Sequence, residues 1–221
     1  MKKPLIIFGT TDAAELAYYY FSIDSNYVVL AFTIDKDFIT NETFCNLPVI
    51  PFEDIENIYP PDSNMMFIAL GYSKLNQARK EKYNQAKEKG YQLASYISTK
   101  ATILNEHKFG DNCFILENNT IQPFVKIGNN VTLWSGNHIG HHSTIQDHVF
   151  IASHVVISGR MNIGESCFIG VNATFRDNIN IGEKCIIGAG ALILHDTEPE
   201  GLFIGKETER SAHASTNVRK I

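Results

Sequence analysis

From Ile103 to Glu198 the chain places an aliphatic or aromatic residue at every sixth position. Cut at that period it reads ILNEHK, FGDNCF, ILENNT, IQPFVK, IGNNVT, LWSGNH, IGHHST, IQDHVF, IASHVV, ISGRMN, IGESCF, IGVNAT, FRDNIN, IGEKCI, IGAGAL and ILHDTE. These sixteen sixes run without an insertion, and each opens on Ile, Leu or Phe. The fifth place is mostly small or β-branched (Cys113, Val125, Val131, Ser143, Val149, Val155, Cys167, Ala173, Cys185, Ala191), and Gly often stands second. A period of six is the signature of a parallel β-helix. Each six predicts one flat face of a prism, with its first residue pointing inward and Gly or a small residue making the corner. Three faces close one coil, so the run predicts about five coils stacked roughly 4.8 Å apart around one apolar core. Residues eighteen apart then sit one above the other. The fifth-place cysteines Cys113, Cys167 and Cys185 read as buried small hydrophobes.

Ahead of residue 100 the pattern is different. "PLIIFG" (4–9), "YVVLAFTID" (27–35), "NMMFIALGY" (64–72) and "YQLASYIS" (91–98) read as strands. "TTDAAELAYYYF" (10–21) reads as a helix capped by Thr11 or Asp12, with Glu15 in a capping-box position, and "KLNQARKEKYNQAKEKG" (74–90) as a polar, Lys-rich helix stopped by Gly90. Alternation of strands and helices predicts a small parallel α/β sheet. The expected organisation is thus an α/β domain over residues 1–100 and an all-β helical domain over 101–221. The tail "EGLFIGKETERSAHASTNVRKI" leaves the period.

Composition narrows the function classes. The 221-residue chain is 44% hydrophobic and 19% charged, enough to bury a core. Its net charge of −5 argues against a general nucleic-acid binder. The apolar run after "MKKP" is too short for a signal peptide, and no stretch approaches a membrane span, so a cytoplasmic protein with no membrane partner is expected. Four cysteines without a CxxC pair give no disulfide or zinc framework, and Cys45 has no partner visible in the sequence.

"WSGNHIGHHSTIQDH" (134–148) holds four of the eight histidines. His142, His148 and His154 share the fourth place of consecutive sixes and so fall on three different faces. They cannot converge on one ion within a chain, so no metal is expected, although a site between copies stays open. His141 holds the third place, and Gly159 follows one coil later on the same face. A neutral imidazole can take a proton from an attacking amine or hydroxyl, and a bare backbone N–H nearby can steady a developing oxyanion. The alternative is a solvated turn histidine. His138 either touches substrate or is a surface residue near a corner. Trp134, the only tryptophan, points outward, toward a subunit boundary, or along the acyl end of a site.

The opening "IIFGTTDAAE" lacks the second and third glycines of a dinucleotide fingerprint. Even so, Gly9, Thr10, Thr11, Asp35, Lys36 and Gly71 fall at the carboxyl edge of the expected sheet, where open α/β sheets bind ligands. An interaction-only cap is the competing reading.

The opening strand-Gly-helix, "IGHH", the "SG" about one coil later, "IGVNATF" and "IGAGALIL" together resemble the bacterial sugar O- and N-acyltransferases of the NeuD/PglD type, over essentially the whole chain. The resemblance implies a Rossmann-like N-terminal domain holding a nucleotide-linked sugar, a left-handed β-helix, a homotrimer, and acetyl-CoA or another acyl-CoA as co-substrate. It implies a place in bacterial surface glycan synthesis, such as lipopolysaccharide O-antigen. It also implies His141 as general base, Gly159 facing the acetyl carbonyl, and Phe150, Val171 and Ala189 along the pantetheine arm. The family follows its histidine with an acidic residue, where this chain has His142. A carboxylate raises the basicity of the histidine it orients, whereas a second histidine fixes only the tautomer. Asp147 or an acid from a neighbouring subunit is the alternative orienting group. The tail reads "IGKETERSA" where the family carries a G-x-P-A turn; Lys206 and Arg210 either meet coenzyme A phosphates or are solvated charge. The expected activity is N-acylation of a nucleotide-linked amino-deoxysugar, with a sialic acid or other sugar O-acetyltransferase and a silent β-helix binding protein as rivals.

Overall fold

The computed structural model describes residues 2–104, 109–210, 212 and 216. Asn105–Lys108, which belong to the first six of the repeat, and most of the tail beyond Arg210 lie outside the described residues.

The N-terminal part is β1 (Lys3–Phe8), α1 (Asp12–Ile23), β2 (Tyr27–Ile34), β3 (Thr43–Phe44), β4 (Leu47–Pro51), α2 (Ile55–Ile58), β5 (Met65–Ile68), α3 (Gln77–Glu88) and β6 (Gln92–Leu93). They form one sheet in the order β3-β4-β2-β1-β5-β6, parallel except for the β3–β4 hairpin. Central β1 is buried on both sides, which is why it reads as an unbroken apolar run. Leu5 and Ile7 pack with Ala14, Ala17 and Phe21 of α1; Ile6 and Phe8 pack on the other side with Phe52, Ile55, Tyr83 and Ala86. Thr11 is the N-cap of α1 but makes no side-chain capping bond; its carbonyl accepts from the Ala14 and Glu15 N–H groups.

The expected strand over 91–98 is instead two. Gln92–Leu93 ends the α/β sheet, and Tyr96–Ile97 opens a second sheet by pairing with Phe114–Ile115. From there the chain winds as a parallel β-helix. Among the described residues the first face stacks seven two-residue strands, from Tyr96–Ile97 to Leu202–Phe203. The second runs from Thr102–Ile103 to Leu192–Ile193, and the third from Lys126–Ile127 to Asn180–Ile181. Pairing follows the eighteen-residue rule: Thr120 with His138, His138 with Val156, Val156 with Thr174. The first places (Ile115, Ile121, Leu133, Ile139, Ile145, Ile151, Ile157) and the fifth places, including Cys113, Cys167 and Cys185, fill one buried column. Burial pushes the Cys113 and Cys167 thiols up to about 12, which leaves them unionised packing groups.

The corners correct the sequence reading. They are made by the fourth place, glycine at Gly136 and Gly190 and other residues elsewhere, and not by the second-place glycines. Asn112, Asn118, Asn130, His142, His148, His154, Arg160, Ser166, Asn172 and Asn178 all adopt the left-handed conformation, with φ between 52° and 64°. Asn is the commonest of them because its short amide is the non-glycine side chain that tolerates this region best. The second-place glycines serve coil stacking instead. A Cβ on Gly164 would stand 2.5 Å from the Glu183 N in the next coil, closer than any side chain can sit. The tail also winds further than its sequence suggests. Leu202–Phe203 pairs with Ile186–Ile187, closing a final lap that is two residues short of the regular eighteen.

The two parts share a core. Tyr20 and Phe21 of α1 meet Tyr96, Phe114 and Phe67 in an aromatic cluster, with centroids 5.1–5.9 Å apart. Asp24, the C-cap of α1, accepts hydrogen bonds from Tyr96 Oη (2.8 Å), Thr99 Oγ1 (2.7 Å), Thr99 N (3.0 Å) and Ser98 Oγ (3.4 Å). Burial alone would push its carboxyl up; the bonds from Thr99, Tyr96 and Ser98 outweigh it and hold the pKa below the ordinary 3.8. A depressed folded-state pKa gives stability that is present above the unfolded value and lost as pH falls through the folded one. Thermal unfolding of Asp24→Asn should therefore lie below wild type at pH 7, and the gap should narrow below about pH 3.8.

Candidate active site

His141 and Gly159 stand at the edge between the second and third faces. His138–Ile139 is the strand that delivers His141, and Val156–Ile157 delivers Gly159 one lap above. The imidazole lies directly against the bare glycine. A Cβ at Gly159 would stand 2.7 Å from His141 Cε1 and 2.8 Å from Nε2. Both His141 and His142 are exposed.

The histidine is held from two sides. Its backbone N–H donates to Gln122 Oε1 (2.8 Å), and its Nδ1 lies 3.1 Å from His142 Nδ1. The His142 ring is seated on Phe124, with centroids 4.6 Å apart. A bond between the two Nδ1 atoms needs one of them protonated. With the proton on His141, its Nε2 keeps a free lone pair. Asp147 does not join this pair. It sits at the next edge and accepts from Asn129 N (2.8 Å) and Asn129 Nδ2 (3.1 Å).

The winding leaves third-place N–H groups without a ladder partner. At Asp111 and Asn129 these N–H groups are taken by the side chains of Asn129 and Asp147, one lap above. At His141 the taker is Gln122, a second-place side chain one lap below. At Gly159 the equivalent second-place residue is Gly140, which has no side chain, and among the described residues no group accepts from the Gly159 N–H.

Other candidates lie elsewhere. Exposed Val171 and Ala189 are at the edge between the first and second faces, not at the His141 edge. Phe150 is not with them. It is 5% exposed, its N–H is spent on Cys167 O, and its ring packs toward Tyr72, Phe168 and Trp134 against the α/β part. His138 is half-buried on the second face. His142, His148 and His154 occupy three different edges, and among the described residues no group of three His, Cys, Asp or Glu is placed to hold an ion. His148 is a buried corner. Its Nδ1 accepts from Asn130 Nδ2 (2.9 Å), and burial, with Lys80 and Arg79 nearby, holds its pKa down.

Gly9, Thr10, Thr11, Asp35, Lys36 and Gly71 do share the carboxyl edge of the α/β sheet, but Thr10, Asp35 and Gly71 line three different depressions. Thr10 lines a small one of about 120 Å³ with Phe38, Asn41 and Phe44. Asp35 faces an open one with Glu53 and Lys89, and its carboxylate is spent on Lys82 Nζ at 2.6 Å. The Lys36 N–H donates to the Glu53 carboxylate (3.1 Å). Gly71, with Asp12 and Ala13 at the start of α1, opens onto a cavity of about 170 Å³ between the two parts, walled by Tyr72, Phe114, Trp134 and Phe150. Gly9, at φ +122°, approaches so closely that a Cβ would stand 2.9 Å from Ala69 O.

Sequence reasoning missed Arg79, which lines the same cavity and is 1% exposed. Its only signal is that Arg79, Tyr83 and Ala86 fall on one stripe of α3, in a helix otherwise rich in solvated lysines.

Three overlapping or adjoining windows, residues 107–140, 125–159 and 160–195, match the bacterial transferase hexapeptide (six repeats) family. That part of the chain is a hexapeptide-repeat unit. Among solved structures, the fold is similar to a perosamine N-acetyltransferase from Caulobacter crescentus, solved with CoA and GDP-perosamine. The TM-score is 0.82 at 20% identity, covering 91% of this chain and 93% of that one. It is also similar to the acetyltransferase domain of PglB from Neisseria gonorrhoeae (TM-score 0.79, 21% identity, 91% and 96% covered). A third is WeeI from Acinetobacter baumannii (TM-score 0.79, 20% identity, 92% and 97% covered). No curated protein sequence matches the chain. At these identities the likeness is one of fold, and it agrees with the resemblance read from the sequence: parallel sheets and hexapeptide repeats that fit a left-handed β-helix. No described helix is long and apolar enough to cross a membrane.

Proposed function

We propose that this protein is an acetyl-CoA-dependent N-acetyltransferase acting on the amino group of a nucleotide-linked amino sugar. The observation that carries the reading is the exposed His141 imidazole against the bare Gly159, whose N–H is unspent. As the sugar amine attacks the thioester carbonyl, His141 Nε2 takes its proton. The Gly159 N–H donates to the oxyanion of the tetrahedral intermediate. When the carbon–sulfur bond breaks, the proton returns from His141 to the departing CoA thiolate, leaving an amide and free CoA. His142, accepting from His141 Nδ1, keeps the ring in the tautomer this requires.

The N-terminal part is read as a Rossmann-like holder for the nucleotide, with Gly9, Thr10, Thr11, Lys36 and Gly71 along its binding edge. Asp35 joins them once its bond to Lys82 is exchanged for ribose. Val171 and Ala189 serve the pantetheine arm, with His138 beside the substrate. Because these two sit one edge away from His141, the reading calls for a homotrimer of about five-coil prisms in which the grooves are shared between copies. The product would enter bacterial surface glycans. The structural neighbours solved with CoA and GDP-perosamine support this choice over O-acetylation.

The test is release of CoA thiol across a panel of nucleotide-linked amino sugars with acetyl-CoA, paired with the mass in solution. Saturable, sugar-dependent release by a species of three chains is the expected result. No release with any amino sugar, or a monomer at micromolar concentration, would overturn it.

A further inference from the structure

Arg79 is a buried cation without a counter-ion. Its Nη2 donates to His148 O (3.0 Å) and Val149 O (3.4 Å), and its Nη1 to Thr132 Oγ1 (3.2 Å). Its Nε has no partner, and among the described residues no carboxylate pairs with it. Burial lowers its pKa only to about 10, so it stays charged at neutral pH. A buried charge that is hydrogen-bonded to neutral oxygens alone is expensive to hold, and such a site favours an arriving anion.

The guanidinium sits beside the cavity between the two parts. Its carbon is 5.6 Å from the Phe150 ring centroid, and Arg79, Thr132 and Phe150 all line that cavity. A second source of positive potential faces the same space. The first turn of the twelve-residue α1, at Asp12 and Ala13, lines it, and Thr11 leaves that end without a side-chain cap. The acidic side chain on this wall, Asp12, is exposed. The remaining wall is aromatic and aliphatic: Leu16, Phe67, Tyr72, Phe114 and Trp134.

From this we infer that Arg79 is the anion-reading residue of an interdomain subsite that binds an oxyanion attached to, or accompanied by, an apolar or sugar-like body. Two sources share this chemistry: a phosphate of the nucleotide-linked substrate, and a small free carboxylate or phosphate acting as an effector. The first source rests on the proposed function; the site itself does not. A fixed buried charge with its Nε unpartnered suits either oxyanion.

Trp134 is the only tryptophan and lines the cavity, so its fluorescence reports occupancy without any turnover. Wild-type protein is titrated with inorganic pyrophosphate, UDP, GDP and glucuronate, with uridine and guanosine as uncharged controls. A saturable change in Trp134 emission with at least one oxyanion, and none with the nucleosides, is expected. Arg79→Gln should bind at least about tenfold more weakly than wild type, and Arg79→Lys, which keeps the charge but not the guanidinium's bonds, should fall between the two. Tighter binding of UDP or GDP than of pyrophosphate assigns the subsite to the substrate's phosphates; tighter binding of glucuronate assigns it to a free carboxylate. Silence of Trp134 toward every oxyanion, or unchanged affinity in a folded Arg79→Gln, overturns the inference. If Arg79→Gln does not fold, the wild-type contrast between anions and nucleosides and the Arg79→Lys affinity still decide it. Acetyl transfer with unchanged oxyanion affinity in Arg79→Gln would sink Arg79 and leave the transferase. Oxyanion binding without acetyl transfer to any sugar would do the reverse.

Discussion

His141→Ala should lower kcat by about 10²–10⁴, the range a positioned general base contributes, while leaving the fold unaltered. The side chain is exposed and makes no core contact, so its removal leaves no cavity. The corner survives because it is closed by His142, whose N–H donates to Pro123 O, and by the Arg160 N–H donating to His141 O, neither of which needs the imidazole. KM for acetyl-CoA should move little, since the group acts on the proton and not on the coenzyme. Gly159→Ala provides the paired result. A methyl 2.7–2.8 Å from Cε1 and Nε2 must push the ring away, so this variant should lose most of the same activity with His141 still present. Near-normal turnover in both variants would remove the imidazole from the mechanism; loss in His141→Ala alone would show that the ring has room to move.

The largest effect on stability is expected at the centre of the β-helix. Ile151 is fully buried, stacked between Leu133 below and Ile169 above. Ile151→Ala removes packing from three successive laps at once and should cost about 2–5 kcal/mol, since a rigidly stacked column cannot collapse into the void. Lys126→Ala, on an exposed outward position of the third face, should stay within about 0.5 kcal/mol. Chemical denaturation with a common m-value would measure both. A loss under 1 kcal/mol at Ile151 would mean that laps repack independently.

The prism was legible because its signal is covalent spacing: a residue every sixth place cannot leave the core without breaking the column. The same spacing brought His141 and Gly159 together on paper. What the sequence concealed depends on angles and on neighbours. Nothing in "HH" or "NN" announces that the fourth place bends left-handed, and second-place glycine invites the wrong assignment of the corner. The hairpin and short helix over 43–58 carry no sustained period, so tertiary packing of Val49, Phe52 and Ile55 decides them. Phe150 was assigned to the pantetheine arm by the family resemblance, and only the docking of the α/β part onto the first face reveals that its ring is covered. Arg79 looks like every other cation on its helix until Thr132 and the 148–149 carbonyls are seen around it.

The eighteen-residue pairing also limits how such a chain can change length. A screw thread keeps all its faces in step only when material is added in whole turns. One residue inserted between Arg160 and Cys185 would rotate every later side chain out of its column, turning apolar positions to solvent and polar ones inward. A complete turn inserted at the same point would restore all of them. Among natural variants of this protein, indels within the winding should therefore come in multiples of six, which keep inward places inward, or of eighteen where the faces must stay in step, or bulge outward at an edge, where a loop can leave and rejoin without shifting the thread.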